Sequence, residues 1–144
     1  MLMMSLFWRR WFALWCLSLG IFGLMLAAGG IEVTSAPAAF ILTTLNGGSV
    51  VMFDATLRFS LAVLGAVSIG WAVTLYLMIG AAIELRERGA PFWHAITAGM
   101  ACWLVIDSAL SVMTGFALNL IPNGILATLY LIGLSGSGAV KRPV

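Results

Sequence analysis

From Pro91 to Gly115 the chain is an apolar run with a single carboxylate, Asp107, near its middle. The run is long enough to cross a bilayer, which takes ~20 residues of helix. A bare carboxylate at that depth costs at least ~2.5 kcal/mol on insertion scales. Any fold of this chain must therefore pair Asp107, protonate it or give it water. The composition points the same way: 8% of residues are charged, where a soluble domain runs nearer ~25%. With 62% hydrophobic residues and a mean hydropathy of +1.12, this is the sequence of an all-α, polytopic membrane protein.

Four spans are expected, at roughly 8–30, 50–88, 91–115 and 120–138, in one transmembrane domain covering 1–144. The first follows Arg9-Arg10 and is apolar from Trp11 to Ala28. That is longer than the ~7–15 apolar residues of a secretory signal, so it reads as a helix, with Trp8, Trp11 and Trp15 as an interfacial aromatic belt. Residues 31–49 form an outer loop. Within it Pro37 can open a short surface helix over 37–45, which Asn46-Gly47-Gly48 would stop.

Between the second and third spans lies the most charged stretch, Glu84 to Pro91. Glu84 and Arg88 stand at i,i+4, and Gly89 and Pro91 suit a tight hairpin. Near Phe116–Asn123 the chain turns again. Pro122 fits the first turn of the last helix, with Asn119 or Asn123 able to bond exposed backbone groups. The tail Ser135-Gly136-Ser137-Gly138 has linker composition and ends in Lys141-Arg142.

Orientation follows from the basic residues. In a four-span arrangement Arg9, Arg10, Arg86, Arg88, Lys141 and Arg142 share one side, and Arg58 alone lies at the other. By the positive-inside rule both termini are cytoplasmic, N-in and C-in. The net charge of +2 and its placement at helix ends give no footprint for nucleic acid.

Two features of the spans invite function. On the second, Ala62, Ala66, Gly70 and Thr74 put a small residue at every fourth position, a face that lets another helix backbone approach closely. On the third, Asp107, Ser111 and Thr114 share a side, since a spacing of four drifts only ~40° per turn. A polar stripe in a membrane helix faces the bundle or a watery cavity. Asp54 and Arg58 form a candidate i,i+4 ion pair at the outer end of the second span. Arg58 is alternatively a partner for Asp107, which lies ~12 Å inside Gly115 at ~1.5 Å per residue. Removing one member of such a buried pair costs ~3–5 kcal/mol.

Catalytic signatures are absent: there is no G-x-S-x-G, H-E-x-x-H or phosphate-binding loop, and no carboxylate pair beside a histidine. Cys16 and Cys102 form no CxxC and read as buried structural thiols within spans, and His94 is the sole histidine, so no metal or cofactor is expected.

The segment Trp103-Leu104-Val105-Ile106-Asp107-Ser108-Ala109-Leu110-Ser111, continuing to Gly115 and Asn119, together with Arg58 to Trp71, resembles small bacterial four-helix membrane proteins of unassigned function. The resemblance covers the second to fourth helices and leaves 1–49 unmatched. It implies a bacterial inner membrane and transfers no catalytic residues. The sequence therefore supports a non-enzymatic accessory or structural subunit that associates through its helices, in the bilayer, with other membrane subunits or with itself. The alternative is a small transporter or a ligand- or proton-binding protein built on Asp107, Ser111, Thr114 and Arg58. A third class is a membrane enzyme or redox subunit whose cofactor comes from a partner.

Overall fold

A computed structural model describes residues 4–139. Five α-helices account for most of them: α1 (Leu6–Ala28), α2 (Ala36–Leu45), α3 (Ala55–Leu85), α4 (Ala90–Met113) and α5 (Leu120–Gly136). No strand occurs among the described residues. Three helical stretches, Leu6–Ala28, Ala55–Met113 and Ala117–Gly136, are long and apolar enough to cross a membrane, the second holding α3 and α4 with the reversal between them.

Helix ends follow local chemistry. Asp54 caps α3, its carboxylate accepting the Leu57 amide at 2.7 Å, so regular helix begins at Ala55 rather than near 50. Pro37 and Pro91 occupy the first turns of α2 and α4, where a missing N–H is harmless. At the end of α4, Gly115 takes a φ of +88°, and the amides of Gly115 and Phe116 return to the carbonyls of Val112 (3.2 Å) and Ser111 (2.8 Å). This double return satisfies carbonyls that the helix end would leave bare, and it turns the chain sharply.

Packing starts from α1 and α3. Added side-chain carbons on Gly20, Gly23 and Gly30 would meet Ala72, Ser68 and Ala62 in turn, so the two helices run antiparallel. At their closest, a Cβ on Gly65 would collide with the backbone of Ala27 and Gly23. The buried positions of α3 are Leu61, Gly65, Ala72, Leu75, Ile79 and Ala82, with Ser68 half-buried. They alternate steps of four and three, the seam of two helices that stay in register over many turns.

Here the structure departs from the fourfold spacing read in the sequence. Of that set, Ala62 meets Gly30, but Ala66, Gly70 and Thr74 are exposed. The reason is geometric: a spacing of four drifts ~40° each step, so Thr74 stands ~120° round the helix from Ala62.

α4 returns along α3, with Gly89 against Ala82 at the turn and the rings of Trp71 and Trp103 5.6 Å apart further on. One core joins α1, α3, α4 and α5: Phe12, Trp15, Leu75, Ile79, Trp93, Met100 and Tyr130 are among its buried members. α2 closes the opposite end, where Ala38 is fully buried with Leu26 and Leu61.

The tryptophans of α1 are part of this packing. Trp11 and Trp15 donate their indole N–H groups to the α5 carbonyls of Leu129 and Leu126, each at 3.0 Å, and Trp8 lies against Gly136. Trp15 is buried, so it does not belong to an interfacial belt. An indole N–H away from water needs an acceptor, and these helix carbonyls supply it. Cys16 is buried, as expected of a structural thiol, but Cys102 is exposed, on a part of α4 that no other described helix covers.

Candidate functional site

The polar residues of α4 meet those that open α5. Asp107, Ser108 and Ser111 lie within one turn on the side of α4 that faces the reversal, and Asn119 and Asn123 stand four residues apart at the start of α5. The return after Gly115 brings the two sets together. Oδ2 of Asp107 accepts a hydrogen bond from Nδ2 of Asn119 at 2.9 Å and another from Nδ2 of Asn123 at 2.5 Å. Each carboxamide also reaches a hydroxyl: Asn119 to Oγ of Ser111 at 2.9 Å, Asn123 to Oγ of Ser108 at 3.3 Å.

The result is a polar clasp. Asn123 and Ser111 are 5% and 8% exposed, the buried polar residues among those described, and Asp107 is half-buried. Among the described residues no buried side-chain nitrogen or oxygen lacks a hydrogen-bond partner. In a medium without water, an unmet amide or carboxylate is expensive, and each member of the clasp relieves another. Both described donors to the carboxylate are neutral carboxamides.

Arg58 is placed elsewhere. Its Nη1 donates to the Gly29 carbonyl at 3.4 Å, and its guanidinium lies 5.4 Å from the ring centre of Phe53. Gly29 follows the last turn of α1, where carbonyls lack intrahelical partners and a cation is favourable. The arginine thus serves the end of α1. Asp54 directs its carboxylate to the α3 amide instead of forming the i,i+4 pair with Arg58. Thr114 is exposed and returns its hydroxyl to the Leu110 carbonyl at 2.8 Å. Of the three residues grouped with Asp107 by sequence, the structure therefore joins only Ser111 to it, through the shared Asn119 carboxamide.

Asn119 and Asn123 are the partners that sequence reasoning assigned to the backbone. Their signal was present: two carboxamides at i,i+4, just past a Gly-containing turn from a carboxylate that must be satisfied. Neither heads its helix with a side-chain cap; the N-cap position Asn119 makes no such bond.

Chemically, the clasp offers a carboxylate, two hydroxyls and two carboxamides, suited to holding helices together or binding a cation or proton. It contains no histidine or thiol. His94 is exposed at the other end of α4, beside Glu87 and Arg88 in a cavity of about 450 Å³. No group of three or more His, Cys, Asp or Glu residues is positioned to hold a metal among the described residues. Comparisons with protein-family models, curated proteins and solved structures returned no match to this chain.

Proposed function

We propose that this chain is a non-enzymatic, four-span membrane protein that acts by helix association, as an accessory or structural subunit or as a self-associating one. The observation that carries the reading is on α3. Ala66, Gly70 and Thr74 face outward, and among the described residues outside its own helical turns nothing comes within 4 Å of a Cβ built on Gly70. Small residues on a lipid-facing helix allow a second helix to approach closely, the means by which membrane helices associate when the hydrophobic effect does not separate them from lipid. The clasp supports the same reading, because Asp107 is engaged by the protein's own hairpin.

The proposed arrangement sends α1, α3, α4 and α5 across the bilayer, with both termini on the cytoplasmic side. Arg9, Arg10, Arg86 and Arg88 supply the inner basic end, and Arg58 stands at the outer one. Lys141 and Arg142, the other basic residues expected at the inner end, lie outside the described residues. A bacterial inner membrane is part of the same proposal.

Purification from the native membrane in mild detergent, followed by identification of co-purifying proteins, tests this function. A stable complex, or a homo-oligomer, lost on Gly70→Ile but kept on Leu14→Phe at the exposed side of α1, is the expected outcome. A monomer in every case would contradict it.

A second reading makes the clasp a proton or cation site. It is favoured by one observation, that among the described residues the Asp107 carboxylate meets only neutral donors. Under that reading Asp107→Asn abolishes activity in proteoliposome flux assays while leaving the fold intact.

A further inference from the structure

A cavity of about 200 Å³ opens where the start of α1 meets the end of α3, lined by Met4, Arg9, Ile83, Glu84 and Arg86. Its walls are of two kinds. Met4 and Ile83 pack against the main core, so the floor is apolar and continuous with the bundle. Arg9, Glu84 and Arg86 are exposed and form a charged rim. Arg86 is positioned by the α3–α4 reversal itself: it adopts a φ of 54°, alone among the non-glycine residues described.

Charge decides what fits. Two guanidinium groups and one carboxylate leave the rim with one net positive charge, which a single phosphodiester balances. Arginine presents a planar fork of donors that matches phosphate oxygens. The apolar floor beside that rim suits the beginning of an acyl chain, a feature that a free inorganic ion would not use. The neighbouring cavity of about 450 Å³ lacks this balance, since the charges of Glu87 and Arg88 on its lining cancel.

We propose that Arg9 and Arg86 bind the phosphate headgroup of an anionic phospholipid, with Met4 and Ile83 against the top of its acyl chains. The site rests on the reading above that this end of the bundle lies at the membrane–water boundary. A lipid held there bridges the first helix and the α3–α4 turn, two parts of the chain distant in sequence.

Native mass spectrometry of the delipidated full chain tests it, with phosphatidylglycerol and phosphatidylcholine offered separately. Preferential retention of phosphatidylglycerol is expected, weakened about five-fold by Arg9→Gln and again by Arg86→Gln, as for ~1 kcal/mol per basic group at an anionic surface. Arg88→Gln, at the neighbouring cavity, should leave retention unchanged. Equal retention of both lipids, or full retention by the Arg9→Gln and Arg86→Gln variants, would overturn the site. Displacement of phosphatidylglycerol by millimolar inorganic phosphate would overturn the lipid as occupant in favour of a small anion. If Arg86→Gln fails to fold, Arg9→Gln on the exposed start of α1, with Arg9→Lys restoring the charge, carries the same test. Carbonate extraction of the same membranes keeps the two readings apart: an extracted protein refutes the spanning bundle, whereas a retained protein without lipid preference refutes only the site.

Discussion

Asn123 donates to Oδ2 of Asp107 at 2.5 Å across the α4–α5 reversal, and the same oxygen takes a second carboxamide hydrogen bond from Asn119. A carboxylate that is costly in a membrane helix is thus met by residues only 12 and 16 positions further along the chain. The hairpin solves its own electrostatic problem. The cluster also ties the two helices at the end far from the aromatic core, where Thr97 and Tyr130 make a second α4–α5 contact at 2.7 Å.

Asn123→Leu should therefore destabilise the protein by roughly 0.6–1.7 kcal/mol, from the average to the maximum measured for interhelical hydrogen bonds in a membrane protein. Asp107→Leu should couple to it: the double variant loses less than the two single losses added together, because each change removes the other's partner. Reversible unfolding in mixed micelles reads both quantities. Strict additivity would mean that the two residues do not interact.

The α1–α3 seam gives a contrast between two glycines of one helix. On Gly65 a Cβ would strike the backbone of Ala27, whereas on Gly70 it meets nothing within 4 Å. Gly65→Ala should cost about 1–3 kcal/mol as an overpacking change. Gly70→Ala should stabilise the isolated chain by up to ~1 kcal/mol, since alanine is the better helix former. The same micelle unfolding series measures both, and equal effects would refute the packing described.

These two cases also mark what was legible in the sequence. The carboxylate, its depth and its shared face with Ser111 follow from helical spacing alone. Its partners do not, because Asn119 and Asn123 reach it only through the Gly115 turn, and their residue type equally suits a helix cap. Arg58 was the alternative because charge complementarity is visible in a sequence; the need of the Gly29 carbonyl for a donor is not. On α3 a repeat of four is conspicuous to the eye, but two long helices stay in contact on a 3.5-residue repeat. The seam therefore runs through Gly65 and Ala72, and the conspicuous stripe is turned outward.

Orientation can be read by labelling single cysteines placed at Ser49 and Glu87 in a chain with Cys16 and Cys102 replaced. Both positions are exposed, on opposite ends of α3. A membrane-impermeant maleimide added to intact cells should label the Ser49 position and spare that of Glu87 until the membrane is opened. The reverse pattern would contradict an inner basic end.

Association through the outer face of α3 is tested most directly by photo-crosslinking in the native membrane, from probes placed one at a time at Ala66, Gly70 and Thr74. These three should give intermolecular adducts, to one defined membrane protein or to a second copy of the chain, while a probe at Leu14 on the exposed side of α1 gives none. Adducts to lipid alone from all four positions would contradict a protein that works by helix association.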